Sequence, residues 1–520
     1  MYIDSSKLQQ GQNISAEICI VGGGAAGITI AKKLAESNIG VCLVESGGIE
    51  FDRDTQNLYA GENIGEAYES LDLCRLRFFG GSTNHWGGWT RPLDPIDFKP
   101  RDYLSSPGWP INEETLNPYR EEADRILQLG EHRFDAEYWR EQKRHIPPFD
   151  NGVLKSSIYR LSPPTRFASA YGHELNVAQN IWCCLGANVI DISFNESGNT
   201  AQRVIARTLN DITFTISAYI VIIAAGGIEN ARLMLACNGV HEQGIGNQHD
   251  LVGRYFADHR GLWGGFMIPS NPKEDLHAYS LHQPFLRTGQ SPHAIITALT
   301  LGEDEIVRRE LPNFSAFIAP ANFPAAPESE KIRASRLTNA VSLLAARHKI
   351  SSRYGDADMP PVPTAGNIHQ VIINAEPFPM RQSRITLSNE KDHMGMRRSR
   401  LFWQNSPSEK DKLTEIMLAL AEKMGAANLG RIYLPQDYQW PPTWQELGRH
   451  HMGTTRMSES AKTGVVDSDC RVHGINNLYI AGSSVFPTYG YAQPTHTIVT
   501  LALRLAVHLV ATRPQWRNSQ

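Results

Sequence analysis

The feature that most constrains this chain is the run EICIVGGGAAGITIAKKLAESNIGVCLVE at residues 17–45. Ile18-Cys19-Ile20-Val21 is a short unbroken apolar run, the kind that is buried on both faces of a parallel sheet. Gly22, Gly24 and Gly27 follow in the spacing G-x-G-x-x-G. A helical stretch from Ala25 to Ser37 comes next, and Gly40-Val41-Cys42-Leu43-Val44 is a second strand that ends at Glu45. Each part has a job in holding a dinucleotide. Gly22 permits the tight turn, Gly24 lets backbone N–H groups approach a pyrophosphate, and Gly27 lets the helix pack closely on the strand. The helix N-terminus adds partial positive charge where phosphates would sit. Glu45, eighteen residues beyond Gly27, can accept both hydroxyls of an adenosine ribose and would repel a 2′-phosphate. The stretch predicts a dinucleotide site in an α/β domain. It does not choose between FAD and NAD, and a ligand-free glycine-rich βα turn is the plain alternative.

The rest of the chain sets bounds. At 520 residues it is too long for one simple core, which predicts two or more interwoven domains. A net charge of −4 gives no reason to expect a nucleic-acid partner. The 7 cysteines are scattered and none forms C-x-x-C, which argues against a disulfide framework and against a zinc site. The opening MYIDSSKLQQ has no apolar core or cleavage pattern. The most apolar C-terminal run, Ile498 to Ala511, is broken by Arg504 and His508, so no membrane span is expected. These features lead us to expect a soluble cytoplasmic protein.

Along the chain, FFGGSTNHWGGWTRPLDPIDF is too rich in glycine and tryptophan for a periodic element and predicts an ordered loop passing close to something. Glu113 to Leu127 is expected to be a helix behind Asn112. Short strands are expected over 181–217. Tyr219 to Gly227 is expected to be a buried parallel strand feeding a helix from Ile228 to Cys237. Residues 262–440 predict a separate, largely antiparallel layer, with helices near 330–349 and 408–424. The basic stretch 331–353, from Lys331 to Arg353, is expected to be a solvated helix face rather than a lid. A strand at Leu478–Ala481 and a long helix from about Pro494 close the chain. Residues 14–100, 151–261 and 441–512 are expected to form the dinucleotide-binding domain, and 101–150 with 262–440 the substrate-binding domain.

The segment GRHHMGTTRM, and VVDSDCRVHGINNLYIAGSSVFPTYGYAQPTHTIVTLALRLA after it, are dense in histidine, glycine and small polar residues just before that helix. Pro494 suits a first helical turn, where its missing N–H costs nothing. With the opening glycine motif, GGSTNHW, VIIAAGGIENARLML and GNQHDLVGRYFADH, these blocks resemble the glucose–methanol–choline (GMC) flavin oxidoreductases over most of the chain. The H-x-M-G and N-H-W blocks are most similar to the branch of pyranose oxidases and bacterial sugar dehydrogenases.

The resemblance implies an FAD-binding Rossmann-like domain interwoven with an antiparallel-sheet substrate domain, as in p-hydroxybenzoate hydroxylase-like architectures. It implies bound FAD and oxidation of a sugar, polyol or glycoside CH–OH group to a carbonyl, with oxygen or a redox partner as acceptor and a small subunit as a further partner. In such enzymes the H-x-M-G histidine faces flavin N5 and takes the hydroxyl proton, which selects His450. Adjacent residues of an extended segment point to opposite sides, so only one of His450 and His451 is expected to face substrate. The family usually places His or Asn before the last P-T; Gln493 stands there and can hydrogen-bond a hydroxyl without acting as a base. His496, where an apolar residue is common, is a possible substitute or merely packs.

The cofactor contacts so implied are Gly22, Gly24, Gly27 and Glu45, then Gly81, Ser82, Asn84 and His85, and further Val189, Gly482 and Pro494. In the pyranose-oxidase branch the histidine at His85 can be bonded to the flavin methyl. Trp263, Tyr279, His282 and Trp403 are the polar or aromatic residues expected in the substrate pocket. Two other readings stay open: the same fold with a non-redox flavin, as in the family's lyases, and a dehydrogenase of a non-sugar alcohol.

Overall fold

In the computed structural model the described residues are 1–143, 146, 152–271, 276–279, 294–320, 368–433 and 445–517. The basic stretch 331–353, the helix expected near 330–349 and His282 lie outside them.

The apolar runs build the first of two large sheets, which has eight strands among the described residues. Its order is Tyr2–Asp4, Ile181–Leu185, Val41–Glu45, Asn13–Val21, Thr213–Ile223, Ala201–Arg207 and Asn188–Phe194, with Leu478–Ile480 also paired to Thr213–Ile223. The central pairings are parallel and only the Ala201–Arg207 ladders are antiparallel. Ile18, Ile20 and Ile220 pack into one hydrophobic cluster, and Cys19, Val21 and Val221 into another. The strand period of two thus sends alternate residues to both covered faces, which is why these segments read as continuous apolar runs. The helices Ala25–Ala35 and Thr495–Ala511 pack against each other and supply Ile28, Leu34, Val499 and Leu503 to the cluster that also takes Ile18 and Ile20.

The second sheet is antiparallel, in the order Gly430–Tyr433, Arg260–Pro269, His369–Ala375, Phe314–Pro320, Ile295–Leu301, Leu154–Leu161 and Trp89–Thr90, with Gln445–Leu447 on Arg260–Pro269. A three-stranded sheet joins Arg384–Lys391, Arg397–Trp403 and Glu62–Gly65. The architecture is therefore α/β, a Rossmann-like sheet beside an antiparallel one.

Expected elements fall close to their places. The helix behind Asn112 runs Glu113–Ile126, and the Asn112 side chain accepts the Thr115 N–H as a cap. The helix after strand Thr213–Ile223 is Gly227–Ala236, and the late helix is Glu409–Ala426. Strand pairing also crosses the expected domain division. Leu154–Leu161, from the 151–261 segment, pairs with Ile295–Leu301 in the antiparallel sheet. Helix Glu113–Ile126 packs against Thr495–Ala511, on the dinucleotide side.

Candidate active site

A cavity of about 830 Å³ runs between the two large sheets. One end is the glycine turn. Gly22 has φ +111° and its missing Cβ would lie 2.6 Å from the Ala224 carbonyl oxygen, so only glycine lets the two strand ends meet there. Gly27 is not on the cavity wall; a Cβ there would drive into the Gly22 carbonyl oxygen. Gly24 caps the Ala25–Ala35 helix and has open space where its side chain would be. Gly81 faces Gly24 across the turn, its Cβ position 3.3 Å from the Gly24 Cα. Glu45 lies at the end of its strand. Its Oε2 accepts the Gly23 N–H at 2.8 Å and its Oε1 the Gly47 N–H at 2.9 Å, which fixes the carboxylate on the wall. Ser82 and Val189 line the same end. Asn84, expected there, does not line the cavity, and its side-chain N–H donates to the Phe79 carbonyl at 2.9 Å. A short loop with tight 3₁₀ geometry needs that internal bond more than it offers a free amide.

The other end gathers His450, His451, Gly482, Gln493 and Pro494 with Trp89, Phe317, Ile372 and Asn374 of the antiparallel sheet. Asp258 builds the local geometry. It accepts the His450 N–H at 2.7 Å, the Arg449 N–H at 3.1 Å and the Tyr68 hydroxyl at 2.7 Å. Burial raises its pKa to about 6. The His450 imidazole meets His259 edge-on, with Nδ1 to Nδ1 at 2.9 Å, and His259 Nε2 reaches the Gly490 carbonyl at 2.7 Å. Burial first, then the neighbouring His259 and His451, hold the His450 pKa well below 6.5, so the ring is neutral at neutral pH.

Only one of the tandem histidines is expected to face substrate; both line the cavity. Their rings do part, His450 toward His259 and His451 stacked on Phe256 at 5.9 Å, but the cavity is wide enough to touch each. The buried His451 Nε2 and Gln493 Oε1 have no hydrogen-bond partner among the described residues. An unpaired buried polar atom on a cavity wall costs about 1–3 kcal/mol unless a ligand satisfies it. His85 lines the cavity between these ends and is exposed. Burial, then Arg449 and Arg166, lower its pKa, so it too is a neutral imidazole.

His496 takes no part. It is 1% exposed, and its Nε2 donates to Asp124 Oδ1 at 3.0 Å, while His132 Nδ1 meets Asp124 Oδ2 at 2.5 Å. This is the His/Asp group among the described residues that could gather round a metal ion, but each carboxylate oxygen already has its histidine. Trp263, Tyr279 and Trp403 are also corrected. They are buried in hydrophobic clusters and line no part of the cavity. Sequence reading gave no role to Asp258 and His259. Their signal was an ionisable pair closing the block GNQHDLVGRYFADH.

The residues present fit FAD. The glycine turn leaves open space at Gly24 where a pyrophosphate would fit, the Glu45 carboxylate stands at a strand end where a ribose diol would meet it, and unpaired polar atoms line the far end.

Comparison with known proteins agrees. A family model described as GMC oxidoreductase matches residues 379–502, and one described as FAD dependent oxidoreductase matches residues 17–242. A 2-methyl-1,2-propanediol dehydrogenase of Mycolicibacterium austroafricanum is 22% identical, over 94% of this chain and 94% of its own. A 6'''-hydroxyparomomycin C oxidase of Streptomyces lividus is 23% identical, over 96% of this chain and 92% of its own. The crystal structure of pyridoxine 4-oxidase from Mesorbium loti superposes with a TM-score of 0.57 at 15% identity, covering 95% of this chain and 99% of that one, and supports the fold.

Proposed function

The chain belongs to the GMC oxidoreductases, FAD-dependent enzymes, and from that premise we propose that it oxidises a CH–OH group of a polyol, sugar or glycoside to a carbonyl. The observation that carries the reading is a neutral His450 imidazole on the wall of the same cavity whose other end is the glycine and Glu45 cradle. The names of the two full-length relatives support this donor class.

Bound FAD supplies a hydride acceptor at N5. The chain's residues do the rest. Gly22 and Gly24 let backbone N–H groups reach the pyrophosphate, and Glu45 holds the ribose. His450 accepts the hydroxyl proton, for which a neutral imidazole is the suitable group at neutral pH. The Gln493 amide orients the hydroxyl without taking its proton. Trp89 and Phe317 keep water from that end. The acceptor is oxygen or a redox partner, and a small subunit belongs to the same proposal. Among the described residues no helix is long and apolar enough to cross a membrane. The seven free, buried cysteines suit our proposal of a reducing, cytoplasmic compartment.

His85 is the candidate for a covalent bond to the flavin methyl edge, as a neutral ring on the cavity wall beside Trp86 and Gly87. Acid precipitation tests that: colour retained in the pellet, and released in His85→Ala, is the expected result, and colour wholly in the supernatant contradicts it. The function itself is tested by a panel of sugars, polyols and glycosides, each with oxygen and with an artificial acceptor. Turnover of at least one is expected; a yellow protein that turns over none with either acceptor contradicts it.

A further inference from the structure

His450 leans on a second histidine whose hydrogen can be placed from its surroundings. His259 is 2% exposed. Its Nε2 sits 2.7 Å from the Gly490 carbonyl oxygen, and a carbonyl oxygen can only accept, so this nitrogen carries hydrogen. Burial lowers the His259 pKa to about 4, so at neutral pH the ring holds a single hydrogen and its Nδ1 is a lone pair. The 2.9 Å contact to His450 then needs a hydrogen from the other side. His450 Nδ1 donates it, and in the neutral His450 ring Nε2 is bare.

We propose that His259 is a positioning residue that locks His450 in the tautomer with hydrogen on Nδ1 and the lone pair on Nε2. The lock rests on the reading of His450 as the base: a hydroxyl proton then passes to Nε2, giving an imidazolium whose Nδ1–H stays on His259, with no tautomer exchange beforehand. The anchor is itself pinned. Around Gly490, the Tyr489 hydroxyl donates to the Tyr255 carbonyl at 2.8 Å, Asn374 donates to the Tyr491 carbonyl at 2.9 Å, and Trp109 Nε1 donates to the Thr488 hydroxyl at 2.7 Å. The His259 carbonyl also accepts the Gly448 N–H at 2.8 Å. Asp258 fixes the backbone of His450 and the adjacent His259 fixes its ring. A neutral acceptor in this place orders the tautomer without the ionic stabilisation a carboxylate would give, and so leaves the His450 pKa low.

The test uses the flavin-loaded protein and two replacements. His259→Leu removes the acceptor; His259→Asn keeps an oxygen close to the position of Nδ1. In His259→Leu the rate of anaerobic flavin reduction by substrate should fall by ~10–100-fold, as when the orienting partner of a functional histidine is lost. Flavin content should hold, and His259→Asn should recover most of the rate. In a His450→Ala background His259→Leu should cost nothing more. Independently of activity, ¹⁵N-histidine NMR, with His450 assigned by its loss in His450→Ala, should show a bare Nε2 in the wild type and a mixture in His259→Leu. A protonated Nε2 in the wild type, an unchanged tautomer in His259→Leu, or multiplying effects in the double variant overturns the proposal. A bare Nε2 in a protein that no alcohol reduces leaves the lock standing and removes the functional reading instead.

Discussion

The two ends of the cavity are built on different principles. The proposed cofactor end is built around a local unit: Gly22, Gly24 and Glu45 come from one strand–helix–strand segment, which Gly81, Ser82 and Val189 join from elsewhere in the chain. The proposed catalytic end is assembled from segments far apart in the chain. Asp258 and His259 precede one strand of the antiparallel sheet, His450 follows another, and Gln493 lies before the last long helix. The first end works by omission, since glycines leave room. The second works by burial, which keeps its histidines neutral. The difference teaches that losing a residue at one end should cost flavin, and at the other end rate.

The largest expected effect is on rate. His450→Ala should slow anaerobic flavin reduction by ~10²–10⁴-fold, the usual contribution of a general base, with flavin content unchanged. His451→Ala should cost less; if it is the crippling change, the base is misassigned. The pH dependence carries a sign. The active form is the neutral ring and its pKa is lowered, so the acid limb of the reduction rate should inflect below 6.5. An inflection above that value would mean that a different group is titrating.

Next comes flavin. In Gly27→Ala the new Cβ would press into the Gly22 carbonyl oxygen, and overpacking of this kind costs about 1–3 kcal/mol. Flavin per protein and melting temperature should both drop, while the holoenzyme that remains turns over normally. Full flavin occupancy in this variant would remove the close-packing role.

This contrast also explains what was legible in the sequence. The strand–helix–strand unit obeys short-range rules of spacing and strand termination, so the turn at Gly22 and Gly24 and the strand end at Glu45 were expected from residues 17–45 alone. Asn84 is away from the cavity wall, its loop spending that amide on its own backbone. The ionisable pair closing its block marked His259 but not its use, since its partners Gly490 and His450 lie 231 and 191 residues away. Trp263 and Trp403 show the same limit: strand residues alternate faces, and only sheet pairing decides which face meets a cavity.

The smallest expected effect sharpens the catalytic end. Gln493→Leu should lower kcat/KM by the equivalent of about 1–3 kcal/mol, the cost of a hydroxyl left unpaired, whereas Gln493→Asn should keep substantial activity. Equal values for both variants would take the amide out of the mechanism.

The most direct test of the central claim is anaerobic mixing of the purified yellow protein with members of the alcohol panel, followed by addition of acceptor. The account predicts that the flavin colour bleaches with at least one polyol, sugar or glycoside and returns when oxygen or an artificial acceptor is admitted. A flavin that dithionite bleaches but no such alcohol does would contradict it, and would mean that this cavity holds its cofactor for something other than CH–OH oxidation.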